Sequence, residues 1–205
     1  MSIGTKSLLF GAHCWFLHPF FLAKAWRALY GPPRGFRLWT SFFVHDLGYL
    51  GKRNLDGPEG EEHVQLGARI MRGIGGCQWE EFTACHSRFW AKKHGLPFSR
   101  LCVADKLAFV LTPIWLYLPM VRWTGELREY MSTNRNQLAD LQNLEPWEAY
   151  CLRSSDEIAF LEGLRSYVRR WVATHRDLKA DDWTVARRQK ISSEEDAEQD
   201  LLVRS

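Results

Sequence analysis

The chain has 205 residues, a hydrophobic share of 46% and a formal net charge of +3. That length suits one domain, and the apolar content is enough for a core. Acids and bases are mixed along the chain, which argues against a nucleic-acid partner. Cysteines stand at positions 14, 77, 85, 102 and 151, an odd number without paired spacing. No disulfide framework is therefore expected, and a reducing cytoplasm is the natural setting.

The hydrophobic period is helical from near the start. Leu8 to Leu22 is apolar but is interrupted by His13, His18 and Pro19, and it has no small-residue cleavage site, so neither a signal peptide nor a membrane span is expected. His18 to Tyr30 reads as a helix, with Leu22, Ala25, Trp26 and Leu29 near 3.6 spacing and Pro19 in the first turn. Gly31, Pro32 and Pro33 end it. Phe36 to Leu47 reads as a second helix, mostly apolar. Residues 51–60 form a loop rich in turn formers, which reads either as a lid over the pocket or as a plain connection between two helices. Glu61 to Gly73, Trp79 to Lys93 and Phe98 to Leu111 follow as helices. The apolar run Leu101 to Val121 holds Asp105 and Lys106, so it reads as buried protein helix and not as a span. Two more helices are expected near residues 123–132 and 147–174. The stretch 187–205 is polar and acidic and reads as a disordered tail beyond a single domain of residues 1–186. No strand alternation occurs, so the expected class is all-α.

Several polar residues sit within these apolar helices. His45 and Asp46 are adjacent at the end of the second helix, where a buried carboxylate needs a strong partner. An imidazole beside a carboxylate suits a divalent transition ion. His18, His63, His86 and Asp105 have the same character, each at a helix edge or on an apolar face. His13 is the alternative to His18 as the first histidine. Arg88 is placed to hold a phosphate by a bidentate contact, and Lys52 is placed to do the same from the loop. Tyr49 can cap a pocket. Cys85 lacks a base and an orienting partner, so it reads as a buried thiol.

The ordered set His18, His45–Asp46, His63, His86 and Asp105 resembles the HD superfamily of metal-dependent phosphohydrolases. The doublet lies in an apolar helix, Asp105 closes the set, and His63 with Gly67 and Ala68 resembles the His-x-x-x-Gly-Ala helix of binuclear members. These include the HD-GYP cyclic-dinucleotide phosphodiesterases and bacterial diadenosine tetraphosphatases. The resemblance covers about residues 13–115. It implies an HD-type helical bundle with extra C-terminal helices. It also implies two divalent ions, iron or manganese with zinc compatible, held by His18, His45, Asp46, His63, His86 and Asp105. Asp46 would bridge the two ions. The implied reaction is attack of metal-activated water on a phosphoester or phosphoanhydride, with Asp46, Arg88 and Lys52 as the catalytic residues. The implied partner is a small anionic phosphate compound of the nucleotide class, and neither a nucleic acid nor a membrane is expected as a partner. Two other readings fit the same ligands: a di-iron oxygenase of the HD fold, and a silent nucleotide-binding module.

Overall fold

A computed structural model describes residues 1–55, 59–137 and 144–177. Every regular element among them is helical, as the apolar periodicity predicts. In chain order the helices are α1 (Ile3–Phe10), α2 (His18–Tyr30), α3 (Phe36–Val44), α4 (Val64–Gly75), α5 (Cys77–Ala84), α6 (Arg88–Lys93), α7 (Arg100–Leu111), α8 (Ile114–Thr124), α9 (Glu126–Gln137), α10 (Pro146–Arg153) and α11 (Glu157–His175). Short 3-10 turns, Leu47–Tyr49 and Gly60–Glu62, flank the loop between α3 and α4.

Helix α7 is the axis of the fold. Leu101, Cys102, Val103, Ala104, Ala108 and Val110 are all buried, so the helix has almost no polar face and must be enclosed. On one side α2 and α3 pack against it through Leu22, Trp26 and Phe42. On the other, α11 packs through Trp171 and Val172. The later helices α8 to α11 close a separate apolar cluster around Val121, Leu152, Phe160 and Leu161.

The sequence reading differs from the structure where polar capping cuts a helix. Trp79 to Lys93 is two helices and not one: Ser87 accepts the backbone N–H of Trp90 at 3.2 Å and starts α6 afresh. The stretch 147–174 is likewise cut into α10 and α11, because Asp156 caps α11 by accepting the Ala159 N–H at 2.7 Å. The run Leu101 to Val121 bends by 102° between α7 and α8, at Thr112 and Pro113. Helix α1 carries no expectation from the sequence, and α8 takes the second half of the run read as one buried helix; Gly125, at φ +90°, ends α8 in a left-handed turn that hands over to α9. Among the described residues no single helix is long and apolar enough to cross a membrane, although the bent α7–α8 pair together meets that length and composition. The 187–205 stretch lies outside the described residues.

Glycines set how closely α4 approaches the end of α3. A Cβ at Gly67 would lie 2.3 Å from the Val44 carbonyl oxygen, and one at Gly48 would lie 1.8 Å from the His63 carbonyl oxygen. Both obstacles are backbone, so neither can step aside. Gly67→Ala is expected to destabilise the protein by about 1–3 kcal/mol and to loosen metal uptake, because α4 must then move away from α3. Chemical denaturation read beside metal titration checks this; an unchanged midpoint would contradict the close packing.

Candidate metal centre

Six side chains from separate parts of the chain meet at one place. His18 opens α2, His45 and Asp46 follow α3, and His63 precedes α4. His86 lies in the break between α5 and α6, and Asp105 sits in the middle of α7. Helix ends leave backbone groups without intrahelical partners, so they are natural places to orient side chains.

Three of the imidazoles are held in the same way. His45 Nδ1 lies 3.1 Å from the Phe42 carbonyl, His63 Nδ1 lies 2.7 Å from the Gly60 carbonyl, and His86 Nδ1 lies 2.6 Å from the Thr83 carbonyl. Each acceptor is three residues back in the chain. A carbonyl oxygen accepts only, so Nδ1 is the donor in each ring, and when the ring is neutral Nε2 presents a lone pair. Backbone carbonyls fix metal-ligating histidines in the same manner. Tyr49 adds a parallel stack on His63, with centroids 4.0 Å apart, and steadies that ring further.

All four Nε2 atoms converge on Asp46, which divides them between its two oxygens. Oδ2 lies 3.0 Å from His45 Nε2 and 3.8 Å from His18 Nε2. Oδ1 lies 3.3 Å from His86 Nε2 and 3.7 Å from His63 Nε2. Asp105 completes the His18 side at 2.9 Å. Two ligand groups result, His18–His45–Asp46 and Asp46–His63–His86, each with donor atoms within 4.8 Å of one another.

This donor set fits a metal ion. His18 Nε2, His45 Nε2 and Asp46 Oδ2 are buried without a hydrogen-bond partner, despite their proximity. His63 Nε2 and His86 Nε2 stand 3.0 Å apart, so in the neutral rings two lone pairs face each other. A cation among these atoms resolves both features at once, and imidazole with carboxylate suits divalent transition ions.

The electrostatics agree with a site that holds charge tightly. Burial opposes the charge on Asp46, but the neighbouring His45 outweighs it and keeps the carboxyl well below its usual range. Asp105 is also lowered, burial again being outweighed by pairing with His18. Burial would lower His45, yet the Asp46 carboxylate raises it to about 9. His63 goes the other way: burial and then the charge of His86 lower it to about 3.

The centre lies in a cavity of about 430 Å³. His18, Asp46, His63, His86 and Asp105 line it together with Arg88, Lys106, Phe109, Tyr117 and Tyr130. The Arg88 guanidinium stacks on Trp171 with its Cζ 4.9 Å from the ring centroid. His18 and not His13 stands among the convergent donors; His13 lines the cavity wall, with Nδ1 2.7 Å from Ser7 Oγ. Lys52 does not line the cavity: its ammonium faces Glu62 at 3.9 Å, and its carbonyl accepts the Gly4 N–H. Of the 51–60 loop, Leu55 lines the cavity, where it is buried and its N–H is held by Glu129 at 2.7 Å. Glu59 is exposed, and Asp56 lies outside the described residues. Cys85 is a buried free thiol whose pKa burial pushes up to about 12, as the inert reading expects. Sequence reasoning passed over Lys106 as a site residue; its signal was its place next to Asp105.

Comparison with protein-family models, curated proteins and solved structures finds no match.

The two shifted histidines set a pH profile for the metal-free protein. His45 is raised, so its contribution is full below the ordinary imidazole value of 6.5 and is lost as pH rises through about 9. His63 is lowered, so its folded form is penalised as pH falls from 6.5 toward about 3. Stability without metal should therefore peak near pH 6.5. An ion at His45 Nε2 must displace a proton, so the rise in Tm on adding metal should grow between pH 6.5 and 9. Thermal melts with and without metal across that range check the sign; a metal effect independent of pH would contradict it.

Proposed function

We propose that this protein is a metal-dependent phosphohydrolase of the HD type, acting on a phosphoester or phosphoanhydride bond in a small anionic compound of the nucleotide class. The observation that carries the reading is the division of Asp46 between two histidine pairs at the wall of a cavity that also holds two cationic side chains. On this reading His18, His45, Asp46 and Asp105 hold one divalent ion, and Asp46, His63 and His86 hold a second. Iron or manganese fits the mixed imidazole and carboxylate donors, and zinc is compatible. When bound, such ions lower the pKa of water and offset the charge on phosphoryl oxygens.

The chain's own residues do the rest. Arg88, oriented by its stack on Trp171, offers a planar fork for phosphate oxygens. Lys106 lines the cavity one residue beyond Asp105, and on this reading its charge serves an anion bound there. Phe109, Tyr117 and Tyr130 supply flat apolar surface for a ring system. A volume of about 430 Å³ lies in the range of small-molecule sites.

A hydrolysis screen over nucleoside phosphates and dinucleotides, with manganese or ferrous ion, tests the proposal. The wild type should release phosphate or nucleotide from one class. Asp46→Asn should lose turnover by more than about 100-fold, beyond what positioning residues around a metal cost. Arg88→Ala should raise KM more than it lowers kcat. Full turnover in Asp46→Asn would overturn the assignment, and a product that forms only with dioxygen would move the protein to the oxygenase reading.

A further inference from the structure

A second feature lies outside the metal centre and does not depend on the function proposed for it. Large aromatic side chains stand in solvent along the N-terminal part of the chain: Phe10, Trp15, Phe16 and Phe20 are 46%, 50%, 60% and 61% exposed. Phe10 meets Trp123 of α8 edge-on, with centroids 5.0 Å apart, so α8 continues the patch. Trp123 is 65% exposed, and Trp115, eight residues earlier and on the same helix face, is 76% exposed. Single exposed apolar residues need no explanation, but four exposed rings between residues 10 and 20, joined to α8 through the Phe10–Trp123 contact, point to an interaction surface.

The charge around the patch says what kind of surface it meets. The mixed charge of the whole chain hides a local asymmetry. Residues 1–45 contain Lys6, Lys24, Arg27, Arg34 and Arg37 and no acidic residue. Phe20, Lys24 and Arg27 follow one face of α2 at helical spacing, and all three are exposed. Aromatic rings bordered by cations are the composition of a face that rests at the boundary between lipid headgroups and acyl chains. Anionic headgroups attract such cations over a Debye length. A two-fold pairing of two copies through this face would set the same cations against each other, which disfavours self-association.

We propose that this face docks on the surface of an anionic phospholipid bilayer, with the aromatic side chains inserted at the headgroup level and Lys24 and Arg27 on the phosphates. The protein would lie on the membrane and not span it. This departs from the sequence expectation of no membrane partner, because helix length and hydropathy test for spans and do not register a surface patch. Ala12 and His13, between Phe10 and Trp15, line the cavity, so docking brings the metal centre next to the bilayer surface.

Co-sedimentation of the purified full chain with vesicles tests this, using phosphatidylcholine alone and a mixture of roughly three parts phosphatidylcholine to one part phosphatidylserine. The protein should sediment with the mixed vesicles, less with phosphatidylcholine alone, and less again at high salt. Phe16→Ser with Phe20→Ser should lower the partition coefficient about tenfold or more, with helical content and metal uptake unchanged, since both rings already face solvent. Lys24→Gln with Arg27→Gln should weaken binding to the mixed vesicles only. A folded wild type that stays in the supernatant at low salt would overturn the proposal. So would vesicle binding that survives both double variants, or a concentration-dependent dimer that the Phe variants abolish while no vesicle is bound.

Discussion

The structure is organised around one buried anion. Asp46 is almost fully enclosed, and an enclosed carboxylate is costly unless positive charge or strong donors surround it. Four imidazole Nε2 atoms are grouped around it, two on each oxygen. A neutral ring that donates from Nδ1 offers only a lone pair there, so the group is suited to a cation that would offset the carboxylate. Meeting that requirement dictates where helices stop. Helix α3 ends as the chain reaches His45 and Asp46, α4 begins after His63, and α5 and α6 part at His86. The glycines at 48 and 67 are the steric counterpart, since only a missing Cβ lets α4 come near enough for His63 to reach the same carboxylate.

Two further buried acids hold the scaffold that brings these ends together, and neither belongs to the donor cluster. Glu126 takes the Ala12 N–H with both oxygens at 3.2 Å, the Thr124 hydroxyl at 2.6 Å and the Tyr130 hydroxyl at 3.3 Å. That clamp fixes the turn leading into α2, and so the position of His18. Glu148 joins α10 to α11 through Ser166 and a two-pronged contact with Arg170, which keeps its carboxyl low against the effect of burial. α11 in turn carries Trp171, on which Arg88 rests. The Arg88–Trp171 contact thus rests on a helix that the Glu148–Arg170 ion pair ties to α10.

Much of the centre was legible in the sequence because its chemistry is conspicuous. Histidines and aspartates at the edges of apolar helices stand out against their neighbours, and all six named donors are brought together. The choice of His18 over His13 followed from Pro19, which marks a helix start, and the structure places the convergent donor there. What was not legible depends on contacts between distant segments. Lys52 follows the doublet closely in sequence, yet the 3-10 turn at Leu47–Tyr49 directs it away from the cavity toward Glu62. Lys106 looks like an ordinary helix charge until the cavity is seen. Glu126 and Glu148 carry no signal in the sequence, because the Ala12 N–H and the Arg170 guanidinium that hold them lie 114 and 22 residues away. Helix boundaries failed where one capping side chain, Ser87 or Asp156, outweighed a continuous apolar pattern.

The proposed chemistry rests on the claim that the Asp46 cluster holds two ions. Elemental analysis of chelator-free protein, beside its Asp46→Asn variant, tests that claim most directly. The account predicts close to two equivalents of iron, manganese or zinc per wild-type chain and a loss of most of that metal in the variant. A folded wild type that takes up no divalent transition ion would contradict it, and so would a variant that retains the full complement.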